Sequence, residues 1–306
     1  VGAYRHQATW RSTTFNEGYA DSGVAPDDPA VIVESKLNDQ ITIDELNIQR
    51  VSAQDYRELR QYLEGAEPNE AYEGVRAITG QGIIAATNLS TLEDKSWTLN
   101  EQFSTAACRL AAAALDPKGV LPFDFKRDTA AVGTTKALRF YCRPGPARPV
   151  WIGRRNEGYT RPWSFQLVAF DPFAYDVAET QTALGNLAGG ANTVTNPGNI
   201  YTKPKIRVTF SGVGANPLTL TNTTTGQTMT FDFSGTAPNP PANGEVWILD
   251  VGRATMYRLS DGALRYGARL TGFLSNLYLL PGANNITWSS ATGITSVRFD
   301  FRGAYA

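Results

Sequence analysis

Acyl transfer by a side-chain nucleophile needs a base beside it, most often a histidine within hydrogen-bond reach of a serine or cysteine. His6 is the one histidine of this 306-residue chain, and it sits in a polar, irregular N-terminal stretch that offers nothing rigid to hold it. Cys108 and Cys142 are the two cysteines, too few and too far apart for a zinc knuckle. Both read as reduced, buried small hydrophobes. Adjacent acids occur at Asp27-Asp28 and Glu93-Asp94. Glycoside hydrolysis needs two carboxylates facing each other across a cleft. The first pair falls in a loop and the second at a turn-to-helix transition, so both read as solvated surface charge. "DSGVAPDD" lacks the ligand cadence of a calcium loop. "GVG" at 212–214 follows a strand but leads into "ANPLTLT", where a dinucleotide site requires a helix, and no Walker motif occurs. No catalytic, cofactor-binding or metal-ligating residue is therefore expected, and no cofactor.

Two features point to binding instead. In "GEVWILDV", Trp247 alternates with Val246 and Ile248 and is expected to point away from that strand's core face. An outward tryptophan can stack on a sugar or fill a protein interface, unless neighbouring loops cover it. Charge is also segregated: residues 1–75 hold 14 Asp/Glu against 6 Lys/Arg, while residues 109–161 hold 11 Lys/Arg against 4 Asp/Glu. Either the two halves pair within one subunit, or the acidic surface of one copy meets the basic surface of the next in a heterologous contact. The formal net charge of −1 gives no global field favouring nucleic acid or an anionic membrane. The longest apolar helical run, "ACRLAAAAL", carries an arginine and is far shorter than the roughly 18–20 residues of a span. The opening run "VGAYRHQATWRSTTF" has no apolar core of a secretory signal.

The elements that would carry these residues follow from periodicity. "ITIDELNIQRV" reads as a strand with a phase slip near Glu45. Ser52 and Asp55 form a capping box, Val51 and Tyr56 a hydrophobic staple, and Tyr56, Leu59 and Leu63 one face, predicting a helix over 53–64 closed by Gly65. "AYEGVRAITGQGIIAATNL" is strand-like but expected to break at "GQG". Thr98 and Glu101 offer a second capping box, and Leu99, Phe103, Ala106, Leu110 and Ala114 form a stripe, predicting a helix over 99–115 that Pro117 ends. Leu138, Phe140 and Cys142 alternate in one strand, and Trp163, Phe165, Leu167 and Ala169 in another, until Asp171-Pro172.

Residues 177–195 are rich in Ala, Gly, Asn and Thr and lack aromatics, which marks a linker-like boundary. Beyond it only period-two segments occur: Ile206/Val208/Phe210, Leu218/Leu220, Met229/Phe231/Phe233, Val246/Ile248, Leu277/Leu279, Ile286/Trp288 and Val297/Phe299/Phe301. The chain is thus read as mainly β. An N-terminal α+β domain over 1–176, antiparallel and barrel-like with two helices, precedes a C-terminal β-sandwich or jelly roll over 196–306.

The order of "NPGNIYTKPKIRVTFSG", "NPLTLTNTTTGQTMTFDFSG", "GEVWILDVGRATMYRL" and "LPGANNITW" resembles the C-terminal half of the distal tail proteins of long-tailed bacteriophages. "TNLSTLEDKSWTLNEQFSTAACRLAAAALDP" and "FQLVAFDPFAYD" resemble parts of that family's N-terminal domain, so the likeness covers about residues 70–306. The resemblance implies a ring-forming N-terminal domain and a galectin-like C-terminal sandwich. It implies a non-enzymatic structural virion protein, a homo-hexamer at the tail tip, made in the host cytoplasm. Its implied partners are the tail tube, tail hub or tip, tape measure and receptor-binding or fibre proteins, with no sequence-specific nucleic acid and no membrane insertion. In that setting Trp247 becomes a docking surface for another tail component. The other readings are a secreted carbohydrate-binding protein, with the sandwich as lectin, and a hydrolase whose acids are not placed.

Overall fold

The computed structural model describes residues 8–15, 41, 43, 45–50, 75–115, 120–128, 135–145, 150–151, 159–185, 192–211, 217–233, 241–265, 269–289 and 293–306. The helix expected over 53–64 lies outside them, as do His6 and Asp27-Asp28. The chain divides into two compact units, Val1–Ala174 and Tyr175–Ala306.

In the first unit the strands are β1 (Ala8–Trp10), β2 (Thr13–Phe15), β3 (Glu45–Arg50) and β4 (Arg76–Ala85). Two helices follow, α1 (Leu89–Gln102) and α2 (Thr105–Leu115), and then β5 (Leu121–Asp128), β6 (Thr135–Pro144), β7 (Val150–Trp151) and β8 (Thr160–Ala169). The sheet runs β2-β1-β5-β6-β8-β4-β3, with β7 also on β8, and its pairs are antiparallel. The expected alternations hold in β6 and β8, where Leu138, Phe140, Cys142, Trp163, Phe165, Leu167 and Ala169 are all buried. Leu121, Phe123 and Phe125 do the same in β5. On the wet face between them, Arg139 forms a bidentate pair with Asp124 at 2.6 and 2.7 Å.

β4 does not break at "GQG". It pairs residue for residue with β8 from Arg76↔Ala169 to Ala85↔Thr160. A Cβ on Gly80 would lie 2.2 Å from Phe165 Cε1, so the glycine makes room for a core ring rather than for a turn.

The expected helix over 99–115 is two helices. α1 starts ten residues earlier, where extended Asn88 accepts the Thr91 amide on its side-chain oxygen at 2.8 Å, and Thr98 lies inside the helix. The chain breaks at Phe103, whose amide returns to Leu99 and Glu101, and Ser104 accepts the first amide of the next helical turn from Cys108. The break aims Phe103 into the core, against Trp10, Trp163 and Phe165 at 5.2–6.0 Å between ring centroids. It also rotates α2, so that Cys108 is buried while Leu110 and Ala106, expected on the inner stripe, face out. At the C-terminus of α1 the Gln102 carbonyl accepts Trp10 Nε1 at 2.9 Å and Cys108 Sγ at 3.2 Å. Arg11 reaches the same end, at 3.3 Å from the Glu101 carbonyl, placing a cation where the helix dipole favours one.

The second unit follows β9 (Ala174–Asp176), with β10 (Thr180–Leu184), β11 (Asn192–Asn196), β12 (Lys205–Phe210), β13 (Leu218–Asn222), β14 (Gln227–Phe231) and β15 (Val246–Asp250). It ends with β16 (Thr255–Arg258), β17 (Arg269–Thr271), β18 (Gly282–Ser289), β19 (Ile294–Phe301) and β20 (Ala304–Tyr305). Two five-stranded antiparallel sheets, β10-β19-β12-β15-β16 and β11-β18-β13-β14-β17, form a β-sandwich around one buried apolar cluster. Residues 177–195, expected as linker, contribute an edge strand to each sheet: β10 pairs β19 and β11 pairs β18. Leu184 and Val194 anchor them in the core, which two short polar strands can do with one apolar residue each. Leu277 and Leu279 are core residues of an irregular segment held by a Thr202–Leu279 bridge, not a strand.

Buried Asn284 closes the end of this core. Its amide donates to the carbonyls of Leu280 (2.8 Å) and Gly282 (3.1 Å), and its oxygen accepts the Leu280 amide at 2.9 Å. At the other end of the sequence the last residues are tied to the first of the unit. Tyr305 Oη donates to Asp176 (3.1 Å) and to the Pro197 carbonyl (2.9 Å), and Arg302 donates to the Asp176 carbonyl at 3.0 Å. The amide of Asn199 reaches Ala304 at 3.0 Å, and the Ala306 amide reaches the Asn199 side chain at 3.0 Å.

Candidate interaction surface

The groups that could do covalent chemistry are placed where chemistry is suppressed. Cys108 and Cys142 are free and buried. Burial pushes the Cys142 thiol well above its ordinary value, and burial likewise raises Cys108 despite nearby Arg11. A thiol held protonated by the fold stabilises it below the unfolded value of 9.0, and that contribution is lost as pH rises beyond it. An aromatic disulfide reagent at pH 8 is expected to label neither cysteine in the native protein and both after unfolding. Rapid native labelling would contradict this placement.

Glu93 and Asp94 lie within α1, not at its start. Arg161 grips Glu93 with both terminal nitrogens, at 2.6 and 3.2 Å, so this carboxylate serves a cross-element ion pair on the surface. Among the described residues no group of His, Cys, Asp and Glu could hold a metal ion, and no helix is long and apolar enough to cross a membrane.

Trp247 is not at the surface. It is 0% exposed, and with Leu249 and Val251 it belongs to the sandwich core. The phase of β15 is the reverse of the expected one. Phe210 and Phe233 meet the indole edge-on at 5.4 and 5.3 Å between centroids. Its Nε1 donates to Glu245 at 2.7 Å, which satisfies the one polar atom of the ring. A ring enclosed in this way has no face to offer a sugar or a partner.

Trp97, by contrast, faces outward and is 77% exposed. It faces out because Leu92, Ser96, Leu99 and Phe103 form the buried stripe of α1 and Trp97 falls on the opposite side. Glu93, Asp94, Asn100 and Glu101 stand three or four positions from it, so three of its four helical neighbours are carboxylates. Asp94 and Glu101 make no ion pair among the described residues. On α2, Leu110 is 78% exposed. Sequence reasoning passed over Trp97 because it took Thr98 as the cap and began the helix at 99. The Asn88 cap, followed by Leu92, Leu99 and Phe103, was the available signal.

A basic site lies elsewhere in the same unit. Near the connection between β5 and β6, at the end of their pairing, Arg127 stands directly opposite Lys136, with Lys126 next along the strand. Arg127 is exposed and makes no ion pair among the described residues. The ion pairs of Arg139 and Arg161 go to Asp124 and Glu93, neither of them within residues 1–75.

An antiparallel sheet bearing two helices, followed by a two-sheet β-sandwich, defines the class of fold, the one expected of a distal tail protein. The Dit protein of phage SPP1 has this fold: the TM-score is 0.51 at 15% identity, over 86% of this chain and 89% of that one. That structure is described as a paradigm of the hub adsorption apparatus of phages that infect Gram-positive bacteria. A chain of the phage p2 baseplate in its activated conformation with strontium gives a TM-score of 0.43 at 7% identity, over 85% of this chain and 89% of that one. No protein-family model matches the sequence, and no curated protein matches it.

Proposed function

We propose that this chain is a structural protein of a bacteriophage tail, forming a hexameric ring at the tail tip that joins the tail tube to the baseplate hub. The observation that carries this reading is the shared two-part fold, which extends over 86% of this chain and 89% of SPP1 Dit. The order of motifs from "TNLSTLEDKSW" to "LPGANNITW" supports it independently. The first unit forms the ring. The sandwich carries receptor-binding or fibre proteins, and the tape measure and hub or tip proteins meet the ring along its axis. In this reading the protein is a structural component and not an enzyme, in keeping with its enclosed thiols and with the pairing of Glu93 to Arg161. With Trp247 in the core, the carbohydrate-binding alternative loses the residue that motivated it. Its place is the virion, after synthesis in the host cytoplasm.

A ring suits this role because several weak docking sites on one rigid body give a multivalent partner high avidity without any single tight contact. Negative-stain imaging of the purified chain is expected to show sixfold particles. A monomer at every concentration and salt tested would overturn the reading.

A further inference from the structure

We propose that the outer face of β12 and β19 is a phosphate-binding site in which Arg207 and Arg298 grip the anion. The site lies within one copy of the chain, so it stands whether or not the ring reading above holds.

The two sheets of the sandwich differ in charge. β11, β13, β14 and β18 contain no charged residue, and their outward side chains are mostly threonine. In the facing sheet Ile206, Val208, Val297 and Phe299 belong to the core, so Lys205, Arg207, Thr209, Ser296, Arg298 and Asp300 stand on the outer face. Arg207 is directly opposite Arg298 in the register, and Lys205 is opposite Asp300. Two cations set side by side across a ladder repel each other. One carboxylate sits between them: Asp300 Oδ2 accepts Arg207 Nε at 2.6 Å and Arg298 Nη2 at 3.0 Å. Asp250, opposite Lys205 on β15, is engaged by Arg253, whose amide it accepts at 2.9 Å. β10 carries no charge, and Arg258 of β16 pairs with Asp261. Lys205, Arg207 and Arg298 against Asp300 leave an excess of two positive charges, which matches a phosphate dianion.

The donors are held in place before any ligand arrives. Asp300 is 4% exposed, whereas the Arg207 and Arg298 side chains are 36% and 33% exposed. The buried carboxylate thus fixes both guanidiniums from beneath. The terminal nitrogens of Arg207 and Nη1 of Arg298 make no hydrogen bond among the described residues. In the next row of the ladder the hydroxyls of Thr209 and Ser296, opposite each other, are uncommitted as well. A phosphate, with three acceptor oxygens and a double charge, uses this whole set of donors. A carboxylate, with two oxygens and a single charge, leaves part of it idle.

The test titrates the full chain by calorimetry in a phosphate-free buffer of low salt. Inorganic phosphate and glycerol 3-phosphate are each expected to bind once per chain with a Kd of about 1 mM, the affinity that two charge-assisted contacts supply. Acetate should bind at least about tenfold more weakly. Binding of inorganic phosphate alone supports the site with the free ion as its ligand, and equal binding of the ester supports a phosphorylated molecule. Arg207→Gln and Arg298→Gln should each raise the Kd at least about tenfold. Each leaves Asp300 with a single partner, so a further variant spares the ion pair. Thr209→Val with Ser296→Ala should melt like wild type and raise the Kd about fivefold. Acetate that binds as tightly as phosphate overturns the phosphate assignment in favour of acidic side chains of a partner. Absence of binding at ten times the expected Kd, or an affinity that survives both arginine variants, overturns the site.

Discussion

Replacing Trp247 by alanine is expected to lower the melting temperature of the sandwich by roughly 10–20 °C. Removing a buried aromatic of this size costs about 3–5 kcal/mol, a large share of the roughly 5–15 kcal/mol that holds a domain folded. The loss is threefold. The edge-to-face contacts with Phe210 and Phe233 disappear. A cavity opens beside Leu249, and the Glu245 carboxylate loses the indole N–H that it accepts at 2.7 Å. Trp247→Phe keeps most of the ring contact and forfeits the hydrogen bond with a smaller loss of packing, so it should cost less, about 1–2 kcal/mol. Calorimetry with both variants checks the order. A Trp247→Ala protein that melts like wild type would mean that the ring is at the surface after all.

Gly198→Ala should undo the closure of the same unit from its opposite end. The added Cβ would lie 2.3 Å from the Ala304 oxygen and 2.4 Å from the Ala304 nitrogen. Backbone meets backbone there, so no side chain can swing aside, and relief requires moving β20. The amides of Asn199 and Ile200 both donate to Ala304, at 3.0 and 3.2 Å, and would be displaced with it. Overpacking of this kind costs about 1–3 kcal/mol. Hydrogen exchange offers the sharper readout: the amides of Asn199 and Ile200 should lose protection, while those of central β12 keep theirs. Unchanged protection at these two positions would contradict the close approach.

Strict alternation made most of the architecture legible in the sequence. β6, β8, β12, β13 and β18 each bury every second residue across their cores, and their core faces are the expected ones; in β19 the expected Val297, Phe299 and Phe301 are buried, and Asp300 between the last two is buried as well. β15 defeats the same reasoning because Val246, Trp247, Ile248 and Leu249 are consecutive apolar residues. Both Ile248 and Leu249 are buried, so the strand is covered on both faces and period two carries no sign. The N-terminal hairpin was hidden for a different reason. Trp10 and Phe15 are its only large apolar residues, and what orders them is a long-range contact with the end of α1 and with Trp163. The helix break at Phe103 was invisible because the residues after it form helix well. Tertiary demand for a ring in the core overrode local propensity. That error also concealed the candidate surface, since the face of Trp97 is defined only once the helix is known to begin at Leu89.

The knot of bonds among Asp176, Pro197, Asn199, Arg302 and Tyr305 has a mechanical meaning. A sandwich whose first and last residues are fastened side by side can be pulled from both without the tension crossing its interior. Load entering at Asp176 reaches Gly303 through one backbone bond of 2.9 Å and is reinforced by the Tyr305 hydroxyl. Tension applied at both places would thus be carried by these few bonds and not by the packed core between the sheets.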